Sequence, residues 1–295
     1  TFRIKYIKKP EVNTVKERIL TIERINAFKL FLQNEEKSTN TQEKYVRDVR
    51  AFAKAIGEKR VTKEVVIEYK AKLVTDKYAV RSINSMLASL NSFFTFQGWF
   101  ECKVKFIKMQ RQVFCPEEKE LTKDEYMRLV NTAKSEGNER LNLILQTICA
   151  TGIRVSELEY ITVDAVKKGE ARVLLKGKNR TVFIVSELRN KLLKYAKKKK
   201  ITSGLIFITS TGKKISRSNI WREMKSLCDR ANVNPKNVFP HNLRHLFART
   251  FYSIQKDIAK LTDVLGHSSI NTTRIYIMTS GNEHRQCVER LRLII

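Results

Sequence analysis

The sequence is poor in several residue types and patterns, and each shortage narrows the possibilities. Its five cysteines (Cys102, Cys115, Cys149, Cys228 and Cys287) form no CxxC pair and no framework spacing. An odd, unpatterned set argues against a disulfide scaffold and for free thiols in a reducing compartment. No run approaches the ~18 apolar residues of a membrane helix. The opening TFRIKYIKKPEV holds no apolar signal-peptide core. Acidic residues are scarce: 30 Asp and Glu stand against 58 Lys and Arg, a net charge of +28 in 295 residues. A genome rich in lysine codons would account for runs such as Lys197–Lys200, a solvated helix end, but less well for the arginines. A folded chain with this field is expected to face a polyanion. Histidine is rarer still, at four residues.

What is present is mostly helical periodicity. Apolar residues recur at helical spacing over 19–33 (Ile22, Ile25, Phe28, Leu30, Phe31) and over 38–57 (Tyr45, Val46, Val49, Phe52, Ala53, Ile56). Two further helices are expected over 61–74 and 78–98, the last closed by Gly98. Four helices joined by short loops make a bundle. Residues 108–119 lose the period, contain Pro116 and read as a linker. Helices resume at 121–134, with Thr122 and Glu125 as a capping box, and at 141–152. Two β-branched runs, 171–175 and 181–185, flank KGKNR and predict a hairpin. Helices follow over 186–200, 216–231, 241–255 and 257–265, the last stopped by Gly266. The expected organisation is a tail (1–19), a helical domain (20–107), a linker (108–119) and a larger domain (120–295) with a C-terminal tail from about 281. The fold class is mainly α with a small β-hairpin.

Two of the four histidines lie in HNLRHLFA (241–248). HxxxH on a helix would suit zinc, but no CxxC supplies the remaining ligands and Arg244 would repel a cation, so no metal is expected. On the helical wheel, Leu243, Leu246, Phe247, Thr250 and Phe251 share one face. His241, Arg244, His245 and Ala248 share the other. Arg is suited to bidentate phosphate contact. ATGIRVSELEYI (150–161) adds Arg154 after a helix break at Thr151-Gly152. VLGHSSINTTRIYI (264–277) adds His267 after Gly266 and Tyr276 nine residues on, with Thr272 or Thr273 as a cap for the turn between.

TGIRVSELEYI, HNLRHLFA and LGHSSINTTRIY, in this order, resemble the motifs of the tyrosine recombinases, the phage-integrase family that includes Xer-type enzymes. STNTQEKYVRDVRAF and YAVRSINSMLASLNSFF resemble two helices of that family's DNA-clamping core-binding domain. The resemblance implies a site-specific DNA recombinase using neither cofactor nor ATP. Tyr276 is then the nucleophile that forms a 3′-phosphotyrosine. Arg154 and Arg244 hold the non-bridging oxygens. His267 donates to the same oxygens, His241 assists proton transfer at the tyrosine, and Glu157 orients an arginine. His245 is expected to be structural.

A hairpin lysine protonates the leaving 5′-oxygen in the family, commonly within GKGxKxR. Here LLKGKNRT lacks the first Gly, and Arg180 comes one residue early. Lys176 and Lys178 both compete, with Lys176, directly before Gly177, preferred. Relatives often carry arginines where this chain has Ser85 and Asn91. Lys44, Tyr45, Arg47 and Arg81 are the expected DNA-backbone contacts. The family also implies a homotetramer on double-stranded DNA. The C-terminal tail (Cys287, Val288, Leu291, Ile294 or Ile295) is then donated to a neighbour, in the cytoplasm at a prokaryotic nucleoid. Some ~20 residues precede the first expected helix, too few for the arm-binding domain of many integrases, and Thr1 is not a natural start. A topoisomerase-like monomer and a non-catalytic DNA-binding protein are the alternative readings.

Overall fold

Thr21 opens the first helix by accepting the Arg24 backbone N–H, and Thr62 opens the third by accepting that of Val65. Each such cap is worth about 1 kcal/mol. In this computed structural model, which describes residues 18–109, 120–175, 178–277 and 289–290, the chain forms two compact units, Thr1–Arg111 and Gln112–Ile295. The first holds α1 (Ile22–Asn34), α2 (Thr39–Ile56), α3 (Lys63–Thr75) and α4 (Val80–Gln97). Its core is aromatic. Phe28 meets Phe93 edge-on at 5.2 Å, and Phe94 and Trp99 close the cluster. In α1 the buried stripe is Ile25, Phe28 and Leu32, while Ile22 and Leu30 are exposed, contrary to their expected place in the core. A three-four spacing selects the narrower stripe.

Two positions of α4 have structural partners. Asn84 brackets the backbone of Ile107, and Asn91 brackets that of Val104, each donating to the C=O and accepting from the N–H. They tie the segment after the bundle onto α4. Lys44 donates to Asp48 at 2.6 Å, the Ser85 carbonyl at 3.0 Å and Ser89 at 3.1 Å. Asp48 is buried, so Lys44 neutralises a charge that would be costly if left alone.

The second unit holds α5 (Lys123–Ser135), α6 (Glu139–Thr151), a tight turn over Val155–Tyr160 and α7 (Val163–Lys168). The hairpin β1 (Glu170–Leu175) and β2 (Lys178–Phe183) follows, then α8 (Ser186–Lys198), α9 (Arg217–Ser226), α10 (Pro240–Gln255), α11 (Ile258–Leu265) and α12 (Ile270–Arg274). The Thr122–Glu125 capping box is present. The second strand begins at Lys178, three residues before the expected run, because antiparallel pairing opens with Leu175 opposite Lys178. Helix α9 stops at Ser226 rather than 231, where the chain turns. In the hairpin, Ala171 pairs with Val182 and Val173 with Arg180. Ala171, Val173 and Val182 are buried. Arg180 therefore lies on the inward face of β2. The main core joins α5, α6, α8, α9 and the hairpin, and a smaller cluster of Ala248, Leu261, Leu265 and Tyr276 joins α10 to α11 and to Tyr276 beyond α12. Among the described residues no helix is long and apolar enough to cross a membrane.

Candidate active site

Gly152 ends α6 in the left-handed conformation, at φ +63°, and a Cβ there would strike the Phe247 ring. Only glycine fits that bend without strain. The bend turns the Gly152 carbonyl toward α10, where the Arg244 Nη1 donates to it. Pro240 starts α10 at its first turn, where its missing N–H costs nothing. One turn later Arg244 enters the protein and is 1% exposed. Its Nη2 donates to the Leu265 carbonyl at 2.7 Å and lies 3.0 Å from His267 Nε2. The helix face carrying His241, Arg244, His245 and Ala248 is thus not left open. Leu265 and Tyr276 cover Ala248, which is fully buried. A small residue allows that close packing.

A guanidinium can only donate, so His267 Nε2 accepts and the ring proton resides on Nδ1, 2.8 Å from Thr273 Oγ1. Thr273 in turn lies 2.8 Å from the Thr262 hydroxyl, which donates to Ile258 O at 2.7 Å. Thr273 is therefore the support of His267, and the cap of α12 expected from Thr272 or Thr273 is instead Ser269. The reason is spacing: Ser269 directly precedes the helix, whereas Thr273 lies inside it, facing back toward His267.

Tyr276 is 6% exposed. His245 stacks on its ring at 4.1 Å and 19°. His241 and His267 lie at 5.2 and 5.1 Å, and the Arg244 guanidinium carbon at 5.9 Å from the ring centre. His241 and His245 are 4.7 Å apart.

Glu157 is fully buried. It accepts from the Arg154 backbone N–H at 2.9 Å, from Arg154 Nη1 at 2.7 Å and from Arg180 Nη2 at 2.5 Å. Burial alone would raise its pKa. The Arg154 N–H, the Arg180 charge and the two guanidinium hydrogen bonds outweigh it and hold the carboxyl below its ordinary value. The Arg154 side chain keeps a third of its surface open.

Two guanidinium charges, Arg154 and Arg180, thus flank this one carboxylate, and both also act on the Arg244 guanidinium. The effect reaches their neighbours. Burial, then Arg154, lowers the Arg244 pKa to about 10, so it stays charged at neutral pH. Burial, then Arg244, Arg154 and Arg180, brings His267 down to about 4. Burial, then His241 and Arg244, brings His245 to about 4. His241 keeps an exposed edge, and its pKa is lowered by partial burial of the ring, then Arg244, Arg154 and Arg217. The excess positive charge suits an anion between Arg154 and Arg244. Among the described residues no group of three or more His, Cys, Asp and Glu is arranged to hold a metal.

The two histidines brought to about 4, His245 and His267, have a measurable consequence. Between pH 6.5 and about 4 the unfolded chain takes up a proton at each of these positions and the folded chain does not. Stability therefore rises with pH through that window. His245→Phe keeps a ring against Tyr276 and removes one titrating group. Thermal unfolding from pH 4.5 to 7 is expected to show a shallower rise for this variant than for the parent; equal slopes would contradict the assignment.

Arg154, Glu157, His241, Arg244, His267 and Tyr276 all lie in the second unit. Lys176 and the C-terminal tail positions Cys287, Val288, Leu291, Ile294 and Ile295 lie outside the described residues, as do 1–17 and 110–119. Lys178 opens β2. In the first unit, Arg47 and Arg81 are exposed and Tyr45 is half-buried against the core, while Lys44 is engaged with Asp48. Arg180, Thr262 and Thr273 belong to the network without having been singled out for it. For Arg180 a signal was present: it alternates in phase with Val182 and Ile184, both buried. A charged residue on an apolar strand face needs a buried partner.

Residues 119–283 match the family model described as "Phage integrase family", and 25–99 match "Phage integrase, N-terminal SAM-like domain". The chain belongs to the phage integrase family. It is a site-specific tyrosine recombinase. It is similar to the tyrosine recombinase XerA of Pyrococcus furiosus, 28% identical over 287 residues that cover 95% of this chain and 98% of that protein. It is also similar to the tyrosine recombinase XerD of Staphylococcus haemolyticus, 27% identical over 291 residues, 89% of this chain and 96% of that one. Among solved structures it shares its fold with a lambda integrase dimer bound to a COC′ core site, at TM-score 0.72 and 16% identity, over 89% of this chain and 96% of that chain.

Proposed function

We propose that Tyr276 cleaves and rejoins double-stranded DNA at a specific site, through a 3′-phosphotyrosine and a Holliday junction, without metal or ATP. The observation that carries this reading is the surround of Tyr276: a phenol within about 6 Å of Arg244 and three imidazoles, beside an excess of positive charge. The tyrosine oxygen attacks phosphorus, the bond to the 5′-oxygen breaks, and the phenolic proton passes to His241. His241, which keeps an exposed edge, serves as base because His245 is stacked and His267 is engaged with Arg244. Arg154 and Arg244 bind the non-bridging oxygens. In the geometry described, His267 orients Arg244; it donates to those oxygens only after taking up a proton. Lys176, or Lys178, supplies the proton to the 5′-oxygen. The covalent link conserves the phosphodiester energy for rejoining.

Residues 20–107 act as the core-binding domain and 120–295 as the catalytic domain, joined by the linker 108–119. Lys44, Tyr45, Arg47 and Arg81 contact the DNA backbone, Lys44 while also paired with Asp48. Four protomers assemble on paired sites and exchange C-terminal tails. The enzyme works in the cytoplasm, at the nucleoid. The DNA complexes of lambda integrase and of the Tn1549 transposon integrase support a DNA partner.

The test is a nicked duplex carrying a site selected from random sequence by binding. The parent is expected to leave a covalent adduct on a denaturing gel, with or without chelator, and Tyr276→Phe none. Equal adduct from both would sink the reading. Assembly of four protomers on paired sites separates recombination from topoisomerase-like relaxation by a monomer.

A further inference from the structure

Arg180 projects from the inward face of β2 and is held on three sides. One arm of its guanidinium donates to Glu157 Oε2 at 2.5 Å, and the other to the Val264 carbonyl at 2.7 Å. Its stem lies on Gly266, where any Cβ would collide with it. The side chain is 9% exposed. Glu157 holds Arg154 by both backbone and side chain, and the corner from Val264 leads directly to His267, which meets Arg244. Arg180 therefore touches both the turn that aims Arg154, through Glu157, and the corner that leads to His267.

We infer that Arg180 is a positioning residue for strand cleavage, fixing the Glu157–Arg154 turn against the Val264–His267 corner so that Arg154 and Arg244 meet one phosphate in register. The inference rests on the phosphotyrosine reading. The planar fork explains why arginine is used. Its arms bind two acceptors in fixed directions, whereas a lysine presents one point charge on a flexible stem. Stability alone would not require it, since a buried ion pair is often no better than an apolar residue of similar volume. Position matters more to the chemistry: a 1 Å misplacement costs on the order of 100-fold in rate.

The experiment uses the full chain and the nicked duplex, and measures site affinity, single-turnover adduct rate and thermal midpoint. Arg180→Met is expected to bind the site within about threefold of the parent and to form adduct on the order of 100-fold more slowly. Arg180→Lys should recover little of the rate, because one ammonium cannot hold both acceptors. In a Glu157→Gln background, Arg180→Met should cost far less, because the residue acts through Glu157. A purely structural role would lower the thermal midpoint and leave the single-turnover rate of the folded protein unchanged. The inference is overturned if Arg180→Met cleaves like the parent, if Arg180→Lys restores full rate, or if the two effects multiply independently. Should Arg180→Met fail to fold, Arg180→Lys in both backgrounds makes the same comparison. Absence of adduct from the parent itself would instead overturn the phosphotyrosine reading, and this inference with it.

Discussion

Arg244→Ala is expected to abolish adduct formation and to lower the stability of the C-terminal unit together. Arg244 is 1% exposed and meets the Gly152 carbonyl, the Leu265 carbonyl and His267. Truncation leaves these acceptors buried without their donor, at about 1–3 kcal/mol for each group that water cannot reach. It also empties the volume under Tyr276. For cleavage, loss of one charged transition-state contact costs about 10²–10³-fold, and release of His267 adds to that. The check is a denaturant titration beside the adduct assay. Arg244→Lys separates the two effects: its ammonium restores charge but cannot reach all three acceptors, so cleavage should stay low while stability recovers in part. An Arg244→Ala protein as stable as the parent would contradict the described burial.

Glu157→Ala is expected to be nearly as damaging, by a different route. The carboxylate lies between Arg154 and Arg180, and removing it leaves Arg180 buried without its counter-ion. Breaking one partner out of a buried pair costs about 3–5 kcal/mol. The pH dependence has a definite sign. Burial would raise this carboxyl, but the Arg154 N–H and the Arg180 charge hold it below its ordinary value. A depressed carboxyl stabilises the fold above the unfolded value of about 4.3 and loses that contribution as pH falls through the folded value. The parent should therefore lose stability below about pH 4, after the histidine-dependent loss at higher pH. In Glu157→Ala this acid limb should flatten. Glu157→Gln, which keeps the shape without the charge, should flatten it too while retaining more of the fold. Urea midpoints from pH 3 to 7 decide the matter. An unchanged acid limb in both variants would place the titration elsewhere.

Much of the site was legible because its residues stand at fixed places in short segments. Arg154 and Glu157 share one turn, His241 and Arg244 one helical turn, and His267 and Tyr276 flank one short helix. Local spacing carries such information. What it did not carry was partnership across the chain. Arg180 meets Glu157 only through the hairpin's register, and that register opened three residues earlier than the β-branched run suggested. Thr273 carries the residue type of a cap, yet the fold spends its hydroxyl on His267. Likewise the ion pair of Lys44 with Asp48, buried one helical turn on, was not read from the sequence. The helix stripe in α1 erred for a related reason: Leu30 is apolar, but only the bundle's packing decides that Leu32 faces inward.

The buried guanidinium of Arg244 also bears on when the protein becomes chemically competent. Its carbonyl partners lie 92 residues before it and 21 after it in the chain. Neither can be met by local helix formation. Long loops must close first, and such closures come late and slowly compared with helix growth. A chain still leaving the ribosome can have a folded α10 and still lack the frame that aims Arg244. Tyr276 lies further along the chain again, on the far side of α12. On the reading proposed above, strand cleavage by Tyr276 waits on these long-range closures, so the capacity to break a strand arrives with the frame that aims Arg244.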